Sequence, residues 1–495
     1  FMLNIALCIY FGSMLLIHGF DMHDEVYSWN MWAVQHYLGE DIDLYYTQAP
    51  YPQLFPKIIS YCYMVLGTFE SQTAVKTSLI IFPFTIFTAL GLASRGNEKK
   101  FLLLHVLLCF VLLRELDLKE IFDDGMPDTM AAAAVITSIY MLLLYRRERD
   151  SVESLWLALV CAIVAVLAKQ HALVWALFSL PVIALGDRFL HREKWSRTFL
   201  FFIPAIVAIG WVFTEGRNFQ KNSGVTSRSF DGRGVLEQLW FSLDKYFIQE
   251  PAIAVVFILA VVSVLRSKRG LDILLAFAIP SIVIWFLFAS YDMRAGTPAL
   301  VVLGFLIAYG NYCLGSRLGE NAPIASPMSA ALKYVLAFVV MALAFNEAKS
   351  KIEKVQSKKA DHVVGFSQRN NLIELFGSDA NFVFEEVASN KNARLWAPSN
   401  YIYGMFYGTV DVTRPSYDNE YDSKTLINEI KSQNRNYAAS AGDILPYGPA
   451  SNILEQVASE KCPKMFTPIA GPDNKYNIIL YKINTDLLAD GYCDL

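Results

Sequence analysis

The chain of 495 residues is 54% hydrophobic and only 18% charged, with a formal net charge of -4. Soluble domains carry roughly a quarter charged residues, so this composition excludes an ordinary soluble globular protein and indicates a polytopic membrane protein. The 7 Cys residues form no C-x-x-C pair and no His-Cys cluster at metal spacing, so neither a zinc site nor a disulfide scaffold is indicated, and no basic tract suggests a nucleic-acid partner.

Taken in chain order, apolar runs close to the roughly 20 residues needed to cross a bilayer fall at 2 to 20, 73 to 93, 101 to 116, 127 to 145, 152 to 168, 171 to 186, 197 to 214, 251 to 266, 271 to 289, 297 to 314 and 328 to 346. They define an all-α polytopic membrane domain of about 11 transmembrane helices. The first run lacks a small-residue cleavage site and is read as a retained span rather than a signal. Arg95, Lys99 and Lys100, then Arg146, Arg147 and Arg149, then Arg188, Arg192, Lys194 and Arg197, then Arg266, Lys268 and Arg269, and finally Arg317 make one set of connections short and basic. The other set is longer and poorer in basic residues. The positive-inside rule places the N-terminus in the cytoplasm and the long loops outside, and an odd number of spans leaves the C-terminal region outside as well. The inner loops read as having no carboxylate groups comparable with those outside.

The first external loop has its own pattern. Tyr27, Trp29, Met31 and Trp32 within 26 to 38, and the Pro-marked segment 52 to 66, read as helices lying in the interface plane with aromatics at headgroup level. After about residue 347 Lys, Glu, Asn and Ser take over. Strand-like runs at 381 to 385 and 476 to 483 alternate with helix-like runs at 423 to 433 and 449 to 459. This divides the chain into a transmembrane domain, 1–346, and a small extracytoplasmic α/β domain, 347–495. Cys462 and Cys493 are the cysteines of the latter, where one bridge is conceivable.

Four groups of ionisable residues fall at outer span ends. Asp24 and Glu25 follow the first span; Asp123, Asp124 and Asp128 precede the fourth; Lys169 and His171 flank Gln170 between the fifth and sixth; Tyr291, Asp292 and Arg294 follow the ninth. Charge at such depth is costly and marks a functional site by default. Acids and bases together at a membrane surface suit transfer of a group from a phosphate-linked lipid: a carboxylate takes the proton of an acceptor hydroxyl and cations stabilise the departing phosphate. Clustered carboxylates also suit a divalent cation, Mg or Mn. Each group equally admits a structural reading. Asp128 after Pro127 favours a helix N-terminus, Asp123 and Asp124 with Gly125 make a solvated turn, Lys169 and His171 snorkel, and Arg294 pairs with Asp292.

An acidic pair just after the first span, in a long external loop, resembles the first-loop motif of the GT-C glycosyltransferases, in particular the protein mannosyltransferases and the aminoarabinose transferase-like enzymes. The segment FDDGMPDTMAAAA from Phe122 resembles their second acidic motif. Lys169-Gln170-His171-Ala172-Leu173 is similar to a Lys-Gln-x-Gly-Leu-like stretch of the bacterial members. Arg294 through Pro298 stands where they carry an Arg-Tyr-x-x-Pro-like sequence, with Ala295 in place of Tyr. No Trp-Trp-Asp-Tyr-Gly motif of the oligosaccharyltransferases is present. The resemblance covers about residues 1 to 345. It implies a membrane glycosyltransferase that takes a hexosyl or pentosyl group from a polyprenyl-phosphate or polyprenyl-diphosphate donor and passes it, with inversion, to a hydroxyl of a glycan, lipid or protein acceptor. Asp24 is then the base, with Glu25 beside it. Asp123, Asp124 and Asp128 orient or bind metal, with Asp24, Asp124 or Asp128 as ligands of any cation. Lys169, His171 and Arg294 receive the donor phosphate, and Tyr27, Trp29 and Tyr291 line the substrate. The expected setting is among membrane lipids, in a bacterial inner membrane with the active face periplasmic. The alternatives are a lipid-linked glycan polymerase or ligase, and a glycolipid flippase.

Overall fold

The computed structural model describes residue 20 and residues 25–40, 51–69, 71–93, 126–148, 151–191, 195–216, 233–249, 251–289, 293–318, 349, 372, 375–415, 421–440, 450–471, 477–490 and 492–493. The chain forms two compact units: 1–17, 47–55 and 77–355 in the first, 18–46, 56–76 and 356–495 in the second.

The first unit is helical. Among the described residues 6 helices are long and apolar enough to cross a membrane: Gln72–Ala93, Pro127–Arg147, Gln170–Phe189, Trp195–Thr214, Leu271–Phe288 and Met293–Gly310. The bent pair Val235–Gln249 and Pro251–Ser267 raises this to at most 7, and Val152–Ala168 is apolar but shorter. The six fall on the expected second, fourth, sixth, seventh, ninth and tenth spans, while the expected runs at 152 to 168 and 251 to 266 are apolar helices that do not reach membrane length on their own. The runs at 2 to 20, 101 to 116 and 328 to 346 lie outside the described residues.

Helix Pro127–Arg147 is the hub. Ala131, Ala132, Ala133 and Ala134 are buried on it. Small side chains let helix backbones approach closely, which in an apolar medium replaces hydrophobic driving force as the source of packing energy. Its neighbours include Ile81–Ala93, Val152–Ala168 and Thr297–Leu318. A similar close approach sets Gly310, where a Cβ would stand 2.8 Å from the Ser263 backbone, so only glycine lets helix Thr297–Leu318 lie against Pro251–Ser267. One polar chain runs through this interior. Trp175 Nε1 donates to Ser138 Oγ at 2.9 Å, and Ser138 Oγ donates to the Ala158 carbonyl at 2.6 Å, satisfying a buried indole and tying three successive helices.

The lower ends of these helices carry an ion cluster that the charge pattern does not show. Arg146 Nη2 and Nε donate to Asp187 at 2.8 and 2.9 Å, and its Nη1 to Asp272 Oδ2 at 2.5 Å. The basic connections therefore do contain carboxylates, contrary to expectation. Asp187 and Asp272 each sit among neighbouring cations in sequence, and the pairing is long-range.

The second unit joins segments of the first loop to the C-terminal region. Glu25–Asn30 and Met31–Leu38 form one helical stretch, closed by Gly39 in the left-handed conformation at φ 74°. Trp29 and Trp32 are 3% and 1% exposed and meet edge to face with centroids 5.2 Å apart. They are core residues of this unit rather than headgroup anchors. Tyr63, also fully buried, donates to Asn30 Oδ1 at 2.5 Å. Gly408, at φ 81°, lies where a Cβ would come within 3.1 Å of Val34, and Tyr407 donates its hydroxyl to the Glu40 carboxylate.

The C-terminal part of this unit is a five-stranded mixed sheet in the order β2-β1-β3-β5-β4. Here β1 is Arg394–Trp396, β2 Asp411–Thr413, β3 Tyr437–Ala439, β4 Phe466–Ala470 and β5 Leu480–Ile483. β1 pairs parallel with β2 and β3, while β5 runs antiparallel to β3 and β4. Helices Ser423–Ser432 and Ala450–Gln456 fall where helix-like runs were expected. The segment 381 to 385 is helical, not a strand. Ala380, Val383 and Val387 are buried at helical spacing, so tertiary burial outweighs the β-preference of Phe-Val-Phe. Cys462 and Cys493 are bonded, with Cα atoms 5.8 Å apart. Glu386 accepts from Lys482 Nζ at 2.6 Å and from the Tyr437 hydroxyl at 2.9 Å.

Candidate functional site

At the opposite end of helix Pro127–Arg147 from the Arg146 cluster, its first turn carries Asp128. Pro127 occupies the first helical position, where a missing N–H costs nothing. The preceding Met126 is extended, at φ -102° and ψ 147°, and offers no side-chain cap. A carboxylate one residue inside the helix complements the exposed N–H groups and the positive end of the dipole. Asp128 is 1% exposed, so this carboxylate is held away from bulk water and needs positive partners.

Those partners come from two other elements. Helix Val152–Ala168 ends where Lys169 turns extended, at φ -153° and ψ 139°, and a tight turn Gln170–Ala172 follows. The break is only one residue long. The Lys169 N–H still bonds the Ala165 carbonyl at 3.1 Å, and the Ala172 N–H bonds the Lys169 carbonyl at 3.2 Å. The side chains on either side of Gln170 therefore leave the helix line toward Asp128. Lys169 Nζ is 3.4 Å from Asp128 Oδ2 and His171 Nδ1 is 3.6 Å from Oδ1. Lys169 Nζ also stands 5.1 Å from the centroid of the Tyr51 ring. The third cation is Arg294, on the turn Met293–Gly296. Its Nη1 lies 3.7 Å from Sδ of Met126, the residue just before the helix that carries Asp128.

The structure thus gathers Asp128, Lys169, His171 and Arg294, separated widely in sequence, at one end of the first unit. The pairs with Asp128 are ion pairs at contact distance rather than close hydrogen bonds, and both carboxylate oxygens and His171 Nδ1 make no hydrogen bond. The arrangement orients cations about one anionic hub and can receive an anion that has oxygens to accept from Lys, His and Arg donors.

The remaining expected site residues are placed as follows. Asp24, Asp123, Asp124 and Tyr291 lie outside the described residues. Glu25 and Tyr27 belong to the helical turn Glu25–Asn30 of the second unit, as does the buried Trp29. Sequence reasoning missed Tyr51 and Met126. Tyr51 is signalled in the sequence only by its place between two prolines; Met126 carries no signal of its own.

Among the described residues no group of three or more His, Cys, Asp or Glu side chains is arranged to hold a metal ion. At Asp128 the carboxylate already has Lys169 Nζ at 3.4 Å, and the other expected metal ligands, Asp24 and Asp124, lie outside the described residues.

A bundle of membrane-length helices with a polar break at one end, in a chain that also forms a small mixed α/β unit, is an architecture shared with solved structures. In its apo state ArnT from Cupriavidus metallidurans superposes with a TM-score of 0.58 at 11% identity, covering 98% of this chain and 97% of that one. The same protein bound to undecaprenyl phosphate gives 0.57 at 12% identity over 96% of each chain. No protein-family model and no curated protein matches the chain by sequence. At this identity the likeness establishes the fold.

Proposed function

We propose that the chain is a membrane glycosyltransferase that moves a sugar from a polyprenyl-phosphate donor to an acceptor hydroxyl at the extracytoplasmic face. The observation that carries this reading is the convergence of Lys169 and His171 on buried Asp128, with Arg294 beside its helix turn, within a fold shared with a protein solved with undecaprenyl phosphate. A polyprenyl phosphate needs such a place: an apolar bundle for its tail and, at the bundle's end, donors for its phosphate oxygens.

In the reaction the acceptor oxygen attacks the anomeric carbon from the face opposite the phosphate, giving inversion. The bond from that carbon to the phosphate oxygen breaks, and its electron pair leaves with the lipid phosphate. Lys169, Arg294 and His171 meet the charge that grows on that oxygen. Asp128 holds them in place beforehand, so no reorganisation is needed as the bond breaks. One well-placed donor of this kind contributes about 10²–10³ in rate. Asp24 takes the acceptor's proton, and Glu25, Asp123 and Asp124 orient it or the acceptor.

The outer location is supported by the disulfide Cys462–Cys493, which forms and persists in oxidising compartments, and by the concentration of basic residues in the opposite loops. A bacterial inner membrane, with the active face in the periplasm, fits both. Purified protein incubated with a panel of polyprenyl-phosphate sugars tests the reading: release of free polyprenyl phosphate with one of them, dependent on an acceptor, is expected. Transbilayer movement of labelled lipid with no covalent change would overturn it in favour of a flippase, and a ladder of products would mark a polymerase.

A further inference from the structure

Arg294 sits on a turn whose position is set by an element outside the ion cluster. Gly296 closes that turn, and a Cβ at this position would stand 2.8 Å from Cδ2, Cε2 and Cε3 of Trp285. Contacts under about 3 Å between carbon atoms lie deep in the repulsive wall, so the backbone at 296 rests flat on the indole. The requirement is for space, not for an unusual φ.

The indole cannot give way. Trp285 is 3% exposed; its ring centroid lies 4.6 Å from that of Tyr246 and 5.1 Å from that of Phe286. The helix end that carries it is fastened in turn. The Phe286 carbonyl accepts from Ser242 Oγ at 2.9 Å and from Gln238 Nε2 at 3.3 Å, both on helix Val235–Leu243. Above the seat, Ala295 is 7% exposed and belongs to the same core, so the residue that follows Arg294 is packed inward. Arg294 is thus held between a braced aromatic floor and its contact with Met126.

We propose that Gly296 and Trp285 are positioning residues: the glycine-on-indole seat fixes the height of the Met293–Gly296 turn and thereby places Arg294 against Met126, beside the helix turn that carries Asp128. This rests on the reading of Arg294 as a ligand of the lipid phosphate, which it deepens by naming what aims the guanidinium. Neither residue touches the substrate. Any side chain at 296 lifts the turn by a fraction of an ångström or more, and misplacement of about 1 Å at a charged site costs up to about 10²-fold.

Two measurements test it. First, binding of undecaprenyl phosphate is followed by thermal stabilisation for wild type, Gly296→Ala, Trp285→Leu and the double variant, all checked for monodisperse folded protein. Gly296→Ala is expected to bind about tenfold more weakly, and the double variant, with the floor lowered, to recover most of the loss. Wild-type affinity in Gly296→Ala, or a double variant as weak as the single one, would overturn the seat. Where Trp285→Leu does not fold, Trp285→Phe takes its place. Second, a structure of Gly296→Ala reads the geometry without ligand. A guanidinium displaced from Met126 supports the seat even if wild type binds no lipid phosphate, in which case the phosphate reading alone falls. An undisplaced Arg294 overturns the seat whatever binds.

Discussion

Lys169 reaches Asp128 across the junction of two helices, Nζ to Oδ2 at 3.4 Å, with the carboxylate almost entirely removed from solvent. Removing one member of such a pair leaves the other charged and buried, which typically costs about 3–5 kcal/mol. Lys169→Met is therefore expected to lower both stability and turnover. Asp128→Asn added to it should restore most of the stability and none of the turnover, since the phosphate donor is still missing. A double-mutant cycle read by thermal midpoint and by kcat/KM separates the two effects; a double variant that regains activity would show that Lys169 acts only as a counter-ion.

Asp24→Asn is expected to abolish transfer while leaving expression, folding and binding of undecaprenyl phosphate unchanged. General-base catalysis contributes about 10²–10⁴-fold, so turnover within a few-fold of wild type in purified protein would remove Asp24 from the base role. Glu25→Gln run in parallel assigns the partner.

At the other end of the hub helix, Arg146→Met strands the carboxylates of Asp187 and Asp272. A loss of about 2–4 kcal/mol is expected, below the full value for a sealed pair because the Asp272 side chain is 37% exposed. The effect should appear in the thermal midpoint and leave the donor KM unchanged. Arg146→Lys should rescue it only in part, because an ammonium cannot make the two-pronged contact with Asp187.

In the second unit, hydrogen bonds from Lys482 and Tyr437 lower the pKa of Glu386, and the bond to Glu386 raises that of Lys482. The folded state therefore binds a proton at Glu386 less readily than the unfolded chain, so this contribution is present above the ordinary Glu range and fades as pH falls through the lowered value. The Lys482 contribution is present below the ordinary Lys range and fades as pH rises through the raised one. The pair is solvent-exposed, with Lys482 at 55%, so its total is under about 1 kcal/mol. Hydrogen exchange of β3 and β5 between the two ranges should quicken modestly in Glu386→Gln, and the difference from wild type should vanish at the acid extreme.

Much of the helical frame is legible in the sequence because a lipid-facing or bundle-core helix is an uninterrupted apolar run, and nothing else in a chain looks like one. The members of the ion cluster are legible singly for the converse reason: Asp128, Lys169, His171 and Arg294 each interrupt such runs at a span end. Their mutual distances are not, since a topology orders residues along the membrane normal and says nothing of which spans are neighbours. Trp29 and Trp32 mislead because a headgroup anchor and a core pair have the same composition. The Arg146 cluster is hidden because Asp187 and Asp272 are outnumbered locally by Arg and Lys, and the positive-inside rule counts basic residues without asking what they hold.

Helix Pro127–Arg147 has 21 residues and an ionic cluster near each end, about 27 Å apart at the usual helical rise. That spacing is also about the thickness of the hydrocarbon layer. Sliding the rod in either direction would drag one cluster into oil, so its vertical register in the bilayer is pinned from both sides. In a bilayer such a rod works as a depth gauge, much as a plumb line with a stop at each end can hang at only one height.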